Sequence, residues 1–363
     1  MRILFLAGRE PAYVRNAMLL QCLEKNRVEV IDCCDSSASY PARFLKVLLK
    51  FLARRKEPFD CVLVGFLGQP LVPLVRALTA KPIVFDAFLS TYDTLCFDRK
   101  VLAPGSLAGR FFYHLDRYCC RLADSVILDT GAHAEYFHRT FGVPRHKLHR
   151  LLVGADQALF SPGPSRPEDG KFRVLYCSSY LPLHGTEYIV RAAARLVPHR
   201  DLEFVLVGRG RERHKVATLA RELGADNVRF VDWLPFRELP LAIAQADLCL
   251  GGHFSEIEKA GRVIAGKTFQ FIAMKKPVIL GDGPGNRELF SDRRDCLMVP
   301  VADAEALAGA ILELKRDAPL RERIAAQGYR IFQHCCNIDA VARELDAILE
   351  RTLGANQIPG GRK

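Results

Sequence analysis

The chain has 363 residues, of which 49% are hydrophobic and 26% charged; this composition is globular and excludes a disordered or low-complexity chain. The length is too great for one ordinary hydrophobic core and fits two domains. The formal net charge of +11 and the pI near 9.1 indicate an anionic partner. Charge alone does not choose among a phosphorylated small molecule, an acidic lipid surface and nucleic acid.

The cysteine pattern and the hydropathy of the chain predict where in the cell the protein is located. The twelve cysteines are scattered, with three adjacent pairs and no CxxC motif, so we expect free thiols in a reducing cytosol. The opening run RILFLAG is too short for a signal-peptide core and is read as a first strand. Because no segment approaches the length of a membrane span, we expect a cytoplasmic protein, at most peripheral on the inner face of the plasma membrane.

Strand-like runs alternate with helical patterns along both halves of the chain. The runs of the first half are RILFLAG, VEVIDC, FDCVLVG, PIVFDA and SVILDT, and those of the second are FRVLYCSS, EFVLVGRG, VRFVDWL, DLCLGG, PVILGDG and CLMVPV. This alternation predicts an α/β protein with two doubly wound, parallel-sheet domains that face each other across a central cleft. In such sheets ligands lie at the carboxyl ends of the strands.

The stretch SPGPSRPEDG, residues 161–170, has the composition of a linker. We therefore predict a first domain over 1–162, a linker over 163–170 and a second domain over 171–335. The tail, 336–353, repeats apolar residues at helical spacing and needs a partner surface. Packing on its own domain and packing back on the first domain are both open.

The stretch GRVIAGKTFQFIAMKKPVI, residues 261–279, places Arg262, Lys267 and Gln270 around a predicted helix start. Small residues before a helix leave backbone N–H groups free to bind phosphate. The helix dipole disfavours a cation in the first turn, so Lys267 is easier to explain if an anion lies beside it. The alternative is a solvated helix start.

The other candidates also follow predicted strands. They are the glycines Gly208 and Gly210, the histidine His184, and the carboxylates Asp86, Asp93 and Glu288. Each has a structural alternative, which is a turn that requires glycine, a structural histidine, or a carboxylate that caps a helix or forms an Asx turn. Their shared position after strands is what favours a binding site.

The stretch RFLKVLLKFLARRK, residues 43–56, repeats basic residues at helical spacing, among them Lys46, Lys50 and Arg54. Phe44, Leu48, Phe51 and Leu52 are expected on the opposite side. A basic amphipathic helix can lie on an anionic bilayer. A helix that packs its apolar face on the sheet and exposes a basic face to water explains the pattern equally well.

The order of motifs resembles that of family-4 glycosyltransferases of the GT-B fold, from the first strand to about residue 330. The stretches that carry the resemblance are HRLLVGADQALFSPGP, YLPLHGTEYIVRAAARL, WLPFRELPLAIAQADLCL and RVIAGKTFQFIAMKKPVILGD. The last is similar to a subgroup with R-V-I-P-x-K at this point. The sequence differs from the family pattern at two positions, because Arg262 and Gln270 replace the family's paired glutamates.

The resemblance implies roles for single residues. Ser179 and His184 stand where the family usually has an Arg and a Lys that clamp the donor diphosphate, a role that Arg262 and Lys267 could take instead. Gln270 and Glu288 would hold hydroxyls of the sugar nucleotide. In the first domain, Gly8 lies in the glycine turn of the acceptor side, where Asp93 is also expected. Asp86, which falls near the reacting centre, or His184 would hold the reacting end of the donor.

The resemblance further implies transfer of a sugar from a nucleotide-sugar donor with retention of anomeric configuration. Basic side chains would stabilise the leaving diphosphate, so no metal or other cofactor is expected. A lipid-linked or envelope-polysaccharide acceptor and an anionic membrane surface are the expected partners. Nucleic acid is not, because no groove-reading motif accompanies the charge. The alternatives are a GT-B nucleotide-sugar epimerase and an inactive sugar-nucleotide-binding protein.

Overall fold

The structure is a computed structural model that describes residues 1–163 and 169–357. The strands are β1 (Arg2–Leu6), β2 (Glu29–Asp32), β3 (Cys61–Val64), β4 (Ile83–Asp86), β5 (Ser125–Leu128), β6 (Leu148–Arg150), β7 (Phe172–Ser178), β8 (Leu202–Gly208), β9 (Val228–Val231), β10 (Leu248–Leu250), β11 (Val278–Gly281) and β12 (Leu297–Val299). The helices are α1 (Val14–Lys25), α2 (Tyr40–Arg54), α3 (Leu71–Leu78), α4 (Thr91–Asp93), α5 (Leu107–Leu122), α6 (Gly131–Phe141), α7 (Thr186–Arg195), α8 (Arg213–Glu222), α9 (Leu239–Ala244), α10 (Glu258–Arg262), α11 (Gly266–Ala273), α12 (Pro284–Arg287), α13 (Ala304–Arg316), α14 (Ala318–Ile331) and α15 (Ile338–Gln357).

The strands form two parallel six-stranded sheets, ordered β2-β1-β3-β4-β5-β6 and β12-β11-β10-β7-β8-β9. Parallel neighbours need crossover connections, which the intervening helices supply. Central strands such as β3 are buried along their whole length, because helices cover both faces of the sheet. The predicted fold class, two doubly wound α/β domains, is confirmed.

The chain divides into two compact units. The first comprises Met1–Val153 together with the C-terminal segment that begins at Ile338, and the second comprises Gly154–Asn337. Most of the predicted linker, 163–170, lies outside the described residues. Helix α15 packs on α1 of the first unit through one continuous apolar cluster, which includes Leu19 and Leu345.

The first sheet has a different helical layer on each face. Alternate strand residues point to opposite sides, so Leu4, Val62 and Phe85 join an apolar cluster with helices α2, α3, α5 and α6. Their neighbours Phe5 and Leu63 join the cluster with α1 and α15. Helices α2, α3 and α5 therefore belong to one layer of the first unit.

The second sheet reverses its strand order between β10 and β7. Strand β7, the first of this unit, has β8 on one side and β10 on the other. Loops that follow strands on the two sides of such a reversal diverge and leave room for a ligand. The carboxyl ends of β7, β8, β10 and β11 are therefore where a site is expected.

Candidate functional site

His184 is fixed in one tautomer at the carboxyl end of β7. Its Nδ1 lies 2.8 Å from Ser178 Oγ, which itself accepts a hydrogen bond from the Tyr180 N–H. The Leu181 N–H also points at Nδ1, at 3.4 Å. Because Nδ1 accepts these bonds, the ring proton resides on Nε2, which is a donor.

A second histidine lies on the other side of the strand-order reversal. His253 follows β10, and its ring stacks on that of His184 with centroids 5.3 Å apart. Burial lowers the pKa of both histidines well below the usual value, and the nearby charge of Lys267 lowers it further. Both rings are therefore neutral at neutral pH and offer hydrogen bonds without charge.

Lys267 supplies the positive charge beside this pair. It is the second residue of α11, and its Nζ lies 4.5 Å from the ring centroid of Tyr176 and 3.5 Å from the Tyr176 hydroxyl. Burial lowers the pKa of Lys267 to about 8. A cation–π contact stabilises an ammonium only partly, so desolvation is the larger effect.

Within residues 1–163 and 169–357, no carboxylate forms an ion pair with Lys267. Other buried polar atoms of this edge also lack hydrogen-bond partners in the same part of the chain, namely the Tyr180 hydroxyl, Thr268 Oγ1 and His253 Nδ1. Buried charges in proteins are normally paired. This carboxyl edge therefore combines a positive charge with three buried polar atoms that have no hydrogen-bond partner among the described residues.

The glycines after β8 allow a close approach between two loops. Gly208 and Gly210 have φ of +133° and +159°, and a Cβ on either would lie 1.8 Å from the carbonyl oxygen of Ser178 or Ser179, respectively. Only glycine fits there. The turn thus packs on the backbone of the β7 loop and presents Ser179, which is exposed, at the carboxyl edge.

Three further predicted donor-binding residues, Arg262, Gln270 and Glu288, differ in their local contacts. Arg262 closes α10 and pairs with Glu258 of its own helix at 3.2 Å. Gln270 lies one turn after Lys267 on α11. Glu288 is exposed and follows the end of α12, so the alternative that it caps a helix start does not hold. Gly283 and Gly285 bring α12 onto α10.

Asp86 is the buried counter-ion of Arg15. Its side chain is 0% exposed, and Arg15 Nη2 and Nε donate to its two oxygens at 2.8 and 3.0 Å. The Arg15 guanidinium also donates to the carbonyls of Leu151 and Leu152. This corrects the prediction that Asp86 lies at the reacting centre, because no face of the carboxylate is open to a substrate.

The two residues predicted on the acceptor side, Gly8 and Asp93, are also buried. Gly8 lies in tight contact with the chain, since a Cβ there would be 2.0 Å from the Leu67 carbonyl oxygen. Asp93 is 2% exposed and ends the short helix α4, whose N-cap is Ser90. Neither presents a side chain to an acceptor at the surface.

Helix α2 has a different buried face from the one predicted. Arg43 is buried, pairs with Glu10 at 3.1 Å and shares the inner face with Val47 and Phe51. The side chains of Lys46, Lys50 and Arg54 are exposed. Lys46 donates a hydrogen bond to the Ser37 hydroxyl, and the Lys50 ammonium lies 3.6 Å from the Asp35 carboxylate. The most exposed apolar residues of the helix are Leu45 and Leu49, which are not among the apolar residues predicted for either side.

Four functional candidates were missed from sequence. Tyr176 lies inside a strand and His253 in a glycine loop, and neither pattern signals a site. Trp233, the only tryptophan of the chain, is 51% exposed after β9, with Arg209 5.6 Å from its ring centroid. An exposed Trp beside an Arg near a glycine turn is a signal that could have been read.

Comparison with known proteins identifies the second unit. Residues 171–317 match the family of Glycosyl transferases group 1. These residues belong to that family. The two six-stranded parallel sheets are those of the GT-B class, which a crystal structure of Anabaena Alr3699/HepE in complex with UDP shares with a TM-score of 0.74. That likeness covers 97% of this chain and 100% of the other, at 18% sequence identity, and shows the fold alone.

Two curated relatives extend the comparison. An alpha-D-kanosaminyltransferase from Streptomyces kanamyceticus is 26% identical over 270 residues, 71% of this chain and 64% of its own length. The lipopolysaccharide core biosynthesis glycosyltransferase LpsD from Rhizobium meliloti is 35% identical over 124 residues, 34% of each chain. Each match spans less than two thirds of the relative.

Two absences concern metal ions and membrane-spanning helices, and both refer to the described part of the chain. Over residues 1–163 and 169–357, no group of three or more His, Cys, Asp and Glu side chains is arranged to hold a metal ion. In the same ranges, no helix has both the length and the apolar character needed to cross a bilayer. The twelve cysteines are all free thiols.

Proposed function

We propose that this protein transfers a sugar from a nucleotide-sugar donor to a lipid-linked or envelope-polysaccharide acceptor, and that Lys267 binds the donor diphosphate. The observation that carries the proposal is the partly buried ammonium of Lys267, which has no carboxylate partner in the described chain and lies beside two neutral histidines. A diphosphate supplies the missing negative charge and the acceptor oxygens.

The chemistry follows from where charge develops. As the bond from the sugar to the diphosphate breaks, negative charge grows on the leaving oxygens, and fixed donors stabilise it. Lys267 contributes a cation, and the Nε2–H of His184 contributes a neutral hydrogen bond. We place Ser179 and the turn Gly208–Gly210 along the diphosphate, Arg262 at its periphery, and Gln270 and Glu288 on sugar-nucleotide hydroxyls.

Because Lys267 supplies positive charge at the leaving group, we propose that transfer needs no divalent metal. We also propose retention of anomeric configuration, as the resemblance implies. Undiminished activity after chelation, and a product with the anomeric configuration of the donor by NMR, are the expected results. If chelation abolishes activity and added metal restores it, the proposal that transfer needs no divalent metal is wrong.

The nucleobase subsite is assigned to the only tryptophan. Trp233 and Arg209 lie beside the turn Gly208–Gly210, two strands from the Lys267 site, and an indole face can stack on a base. Two strand spacings are roughly 10 Å, which is the scale of a nucleoside diphosphate. Titration with nucleotide should therefore quench the fluorescence of Trp233, and inorganic pyrophosphate should not.

The donor and acceptor classes are inferred from relatives. A structural neighbour is described in complex with UDP, and LpsD acts in lipopolysaccharide core biosynthesis by its name. A uridine nucleotide and an envelope glycan are therefore the first compounds to test.

The decisive experiment measures nucleotide diphosphate affinity by calorimetry in Lys267→Gln. Loss of one charge-assisted contact, about 1.5–3 kcal/mol, corresponds to roughly 10- to 150-fold weaker binding. The matched control is Lys275→Gln, an exposed lysine just after the same helix. Equal affinity of Lys267→Gln and the wild type would remove the lysine from the site and with it the proposal.

Two alternatives keep the same donor site but not the same reaction, and the loss of the family's paired glutamates at 262 and 270 is what favours them. A panel of UDP, GDP, ADP and dTDP sugars separates them. A transferase slowly hydrolyses its donor and releases nucleotide. An epimerase converts the donor sugar with no acceptor present, and an inactive binder gives only a thermal shift.

A further inference from the structure

The helical layer formed by α2, α3 and α5 has an unusual surface. Its most exposed apolar side chains are Leu45 and Leu49 on α2, Leu74 on α3, and Leu107, Phe111 and Tyr118 on α5. Leu107 is 87% exposed and Phe111 60%. We call the exposed residues of these three helices the outer helical face. Large apolar side chains repeated on three neighbouring helices indicate a surface that is covered by a partner.

The charges of the outer helical face have one sign. Its exposed ionised residues are Lys46, Lys50, Arg54, Arg110, Arg117 and Arg121. The only carboxylate in the three helices, Asp116, is buried and accepts hydrogen bonds from Ser90 and Tyr92. Helix α15, in the layer on the opposite face of the same sheet, carries four carboxylates against two arginines, namely Asp339, Glu344, Asp346 and Glu350 against Arg343 and Arg351. The basic character therefore belongs to one face and is not spread over the unit.

We propose that the outer helical face is the contact surface for an anionic lipid bilayer. The exposed leucines and aromatic rings would enter the headgroup region, and the basic side chains that flank them would bind lipid phosphates. A Tyr and a His on α5, Tyr118 and His114, suit the wet boundary between headgroups and acyl chains.

The sign of the charge favours a bilayer over a second copy of the chain. A two-fold interface through this face would place Arg110 and Arg117 of one copy against the same basic face of the other. Like charges that meet across an interface oppose association. Anionic lipid headgroups neutralise the same residues.

The predicted contact of Lys46, Lys50 and Arg54 thus becomes part of a wider surface. Asp35 lies 3.6 Å from Lys50 and offsets part of its charge, so α2 alone is a weak anchor. Helix α5 adds three arginines with no exposed acid and the two most exposed apolar residues of the layer.

The test is binding of the full chain to vesicles with and without an anionic lipid, without nucleotide. We expect binding to vesicles that contain about 30% phosphatidylglycerol, weak binding to pure phosphatidylcholine, and a large loss between about 0.1 and 0.5 M salt. The variant Leu49→Ser/Phe111→Ser should bind at least about tenfold more weakly, which separates apolar insertion from charge. All its substitutions lie on exposed side chains and should leave the fold intact.

Matched controls come from exposed residues outside the face. Leu241→Ser in α9, where the leucine is 71% exposed, should bind vesicles like the wild type. The charge variant Arg110→Gln/Arg117→Gln should lose binding, whereas Arg191→Gln/Arg195→Gln in α7 removes the same charge elsewhere and should retain most of it. If both pairs lose binding equally, net charge explains the effect and the surface assignment is wrong.

A depth measurement gives an independent answer. In the variant Trp233→Phe/Phe111→Trp the only tryptophan is on the outer helical face, and its emission should shift to shorter wavelength on anionic vesicles. An unshifted emission, wild-type binding of Leu49→Ser/Phe111→Ser, or a wild-type dimer that these substitutions dissociate would each overturn the proposal. Because nucleotide is absent throughout, failure here leaves the proposed function untouched.

Discussion

Replacing Lys267 with methionine is expected to stabilise the unliganded protein while it removes diphosphate binding. Burial lowers the pKa of this lysine from 10.5 to about 8. A pKa difference of one corresponds to about 1.4 kcal/mol, so keeping the ammonium charged in the folded state costs about 3 kcal/mol at neutral pH. The side chain is only partly buried, and the expected gain in the free energy of unfolding is therefore roughly 1–3 kcal/mol.

The pH dependence of stability has a definite sign. The folded state binds the Lys267 proton less tightly than the unfolded chain, so between pH 8 and 10.5 the unfolded chain holds more protons. Stability from this group therefore rises with pH across that window. The advantage of Lys267→Met is full below pH 8 and shrinks as the pH approaches 10.5.

Urea unfolding followed by Trp233 fluorescence is the appropriate assay, because this tryptophan reports on the second unit alone. Wild type, Lys267→Met and the exposed control Lys275→Met should be compared at about pH 7 and pH 9.5, a range that crosses the lowered pKa. The control should change little. A Lys267→Met protein that is less stable than the wild type at pH 7 would refute the view that the lysine is held against its own desolvation.

Two further predictions concern buried contacts. Asp86→Ala leaves Arg15 without its counter-ion and should lower the free energy of unfolding by roughly 3–5 kcal/mol in a denaturation experiment. Most of this loss should be recovered in Arg15→Met/Asp86→Leu. An Asp86→Ala protein that keeps its stability and loses only activity would contradict the structural role. Gly208→Ala places a methyl group 1.8 Å from the Ser178 carbonyl oxygen and should weaken both folding and nucleotide affinity. Gly309→Ala, whose Cβ would lie in open space on helix α13, should instead stabilise the protein by up to about 1 kcal/mol.

Much of the fold could be predicted because the central strands are continuous apolar runs bounded by turns. Strand β6 was missed, since its residues Leu148–Arg150 are largely polar and only partly buried. Helices α13 and α14 were also not delimited, although Asp303 and Asp317 cap their N-termini as the sequence could have indicated.

The candidate site could be predicted where a residue contradicts its local environment. Lys267 opposes the dipole of its helix, so a local argument singled it out. Tyr176 lies 91 residues away in sequence and could not be assigned to it. The prediction for Asp86 was wrong for the same reason, because its partner Arg15 lies 71 residues earlier in the sequence. A polar residue at a strand end is ambiguous until its partner is known.

The basic helix shows a different limit. Arg43, Lys46, Lys50 and Arg54 share a spacing that places them on one side of a helical wheel, and the wheel cannot say which side faces the sheet. In the structure Arg43 lies on the inner side, where it pairs with Glu10. The exposed side then included leucines that an amphipathic pattern assigns to the core.

Arg262 and Gln270 stand where the resemblance implies glutamates, and the effect of a carboxylate near Lys267 can be tested by introducing one at position 270. Residues three apart on a helix are neighbours, so Gln270→Glu places a carboxylate one turn from Lys267. At that separation an effective attraction of about 1 kcal/mol is expected, which raises the pKa of Lys267 and stabilises the unliganded protein.

The same carboxylate should repel an anion bound by Lys267. Inorganic pyrophosphate, which has no ribose or base, isolates this effect, and its affinity should fall roughly fivefold in Gln270→Glu. A nucleoside diphosphate should lose less, because a glutamate at this position can accept hydrogen bonds from ribose hydroxyls. If pyrophosphate binds equally to both proteins, Gln270 lies outside the electrostatic reach of the anion and the charge argument for this helix is wrong. If only the affinity for pyrophosphate falls, residue 270 affects both the diphosphate and the ribose, and a glutamine at this position favours the diphosphate contact over the ribose contact.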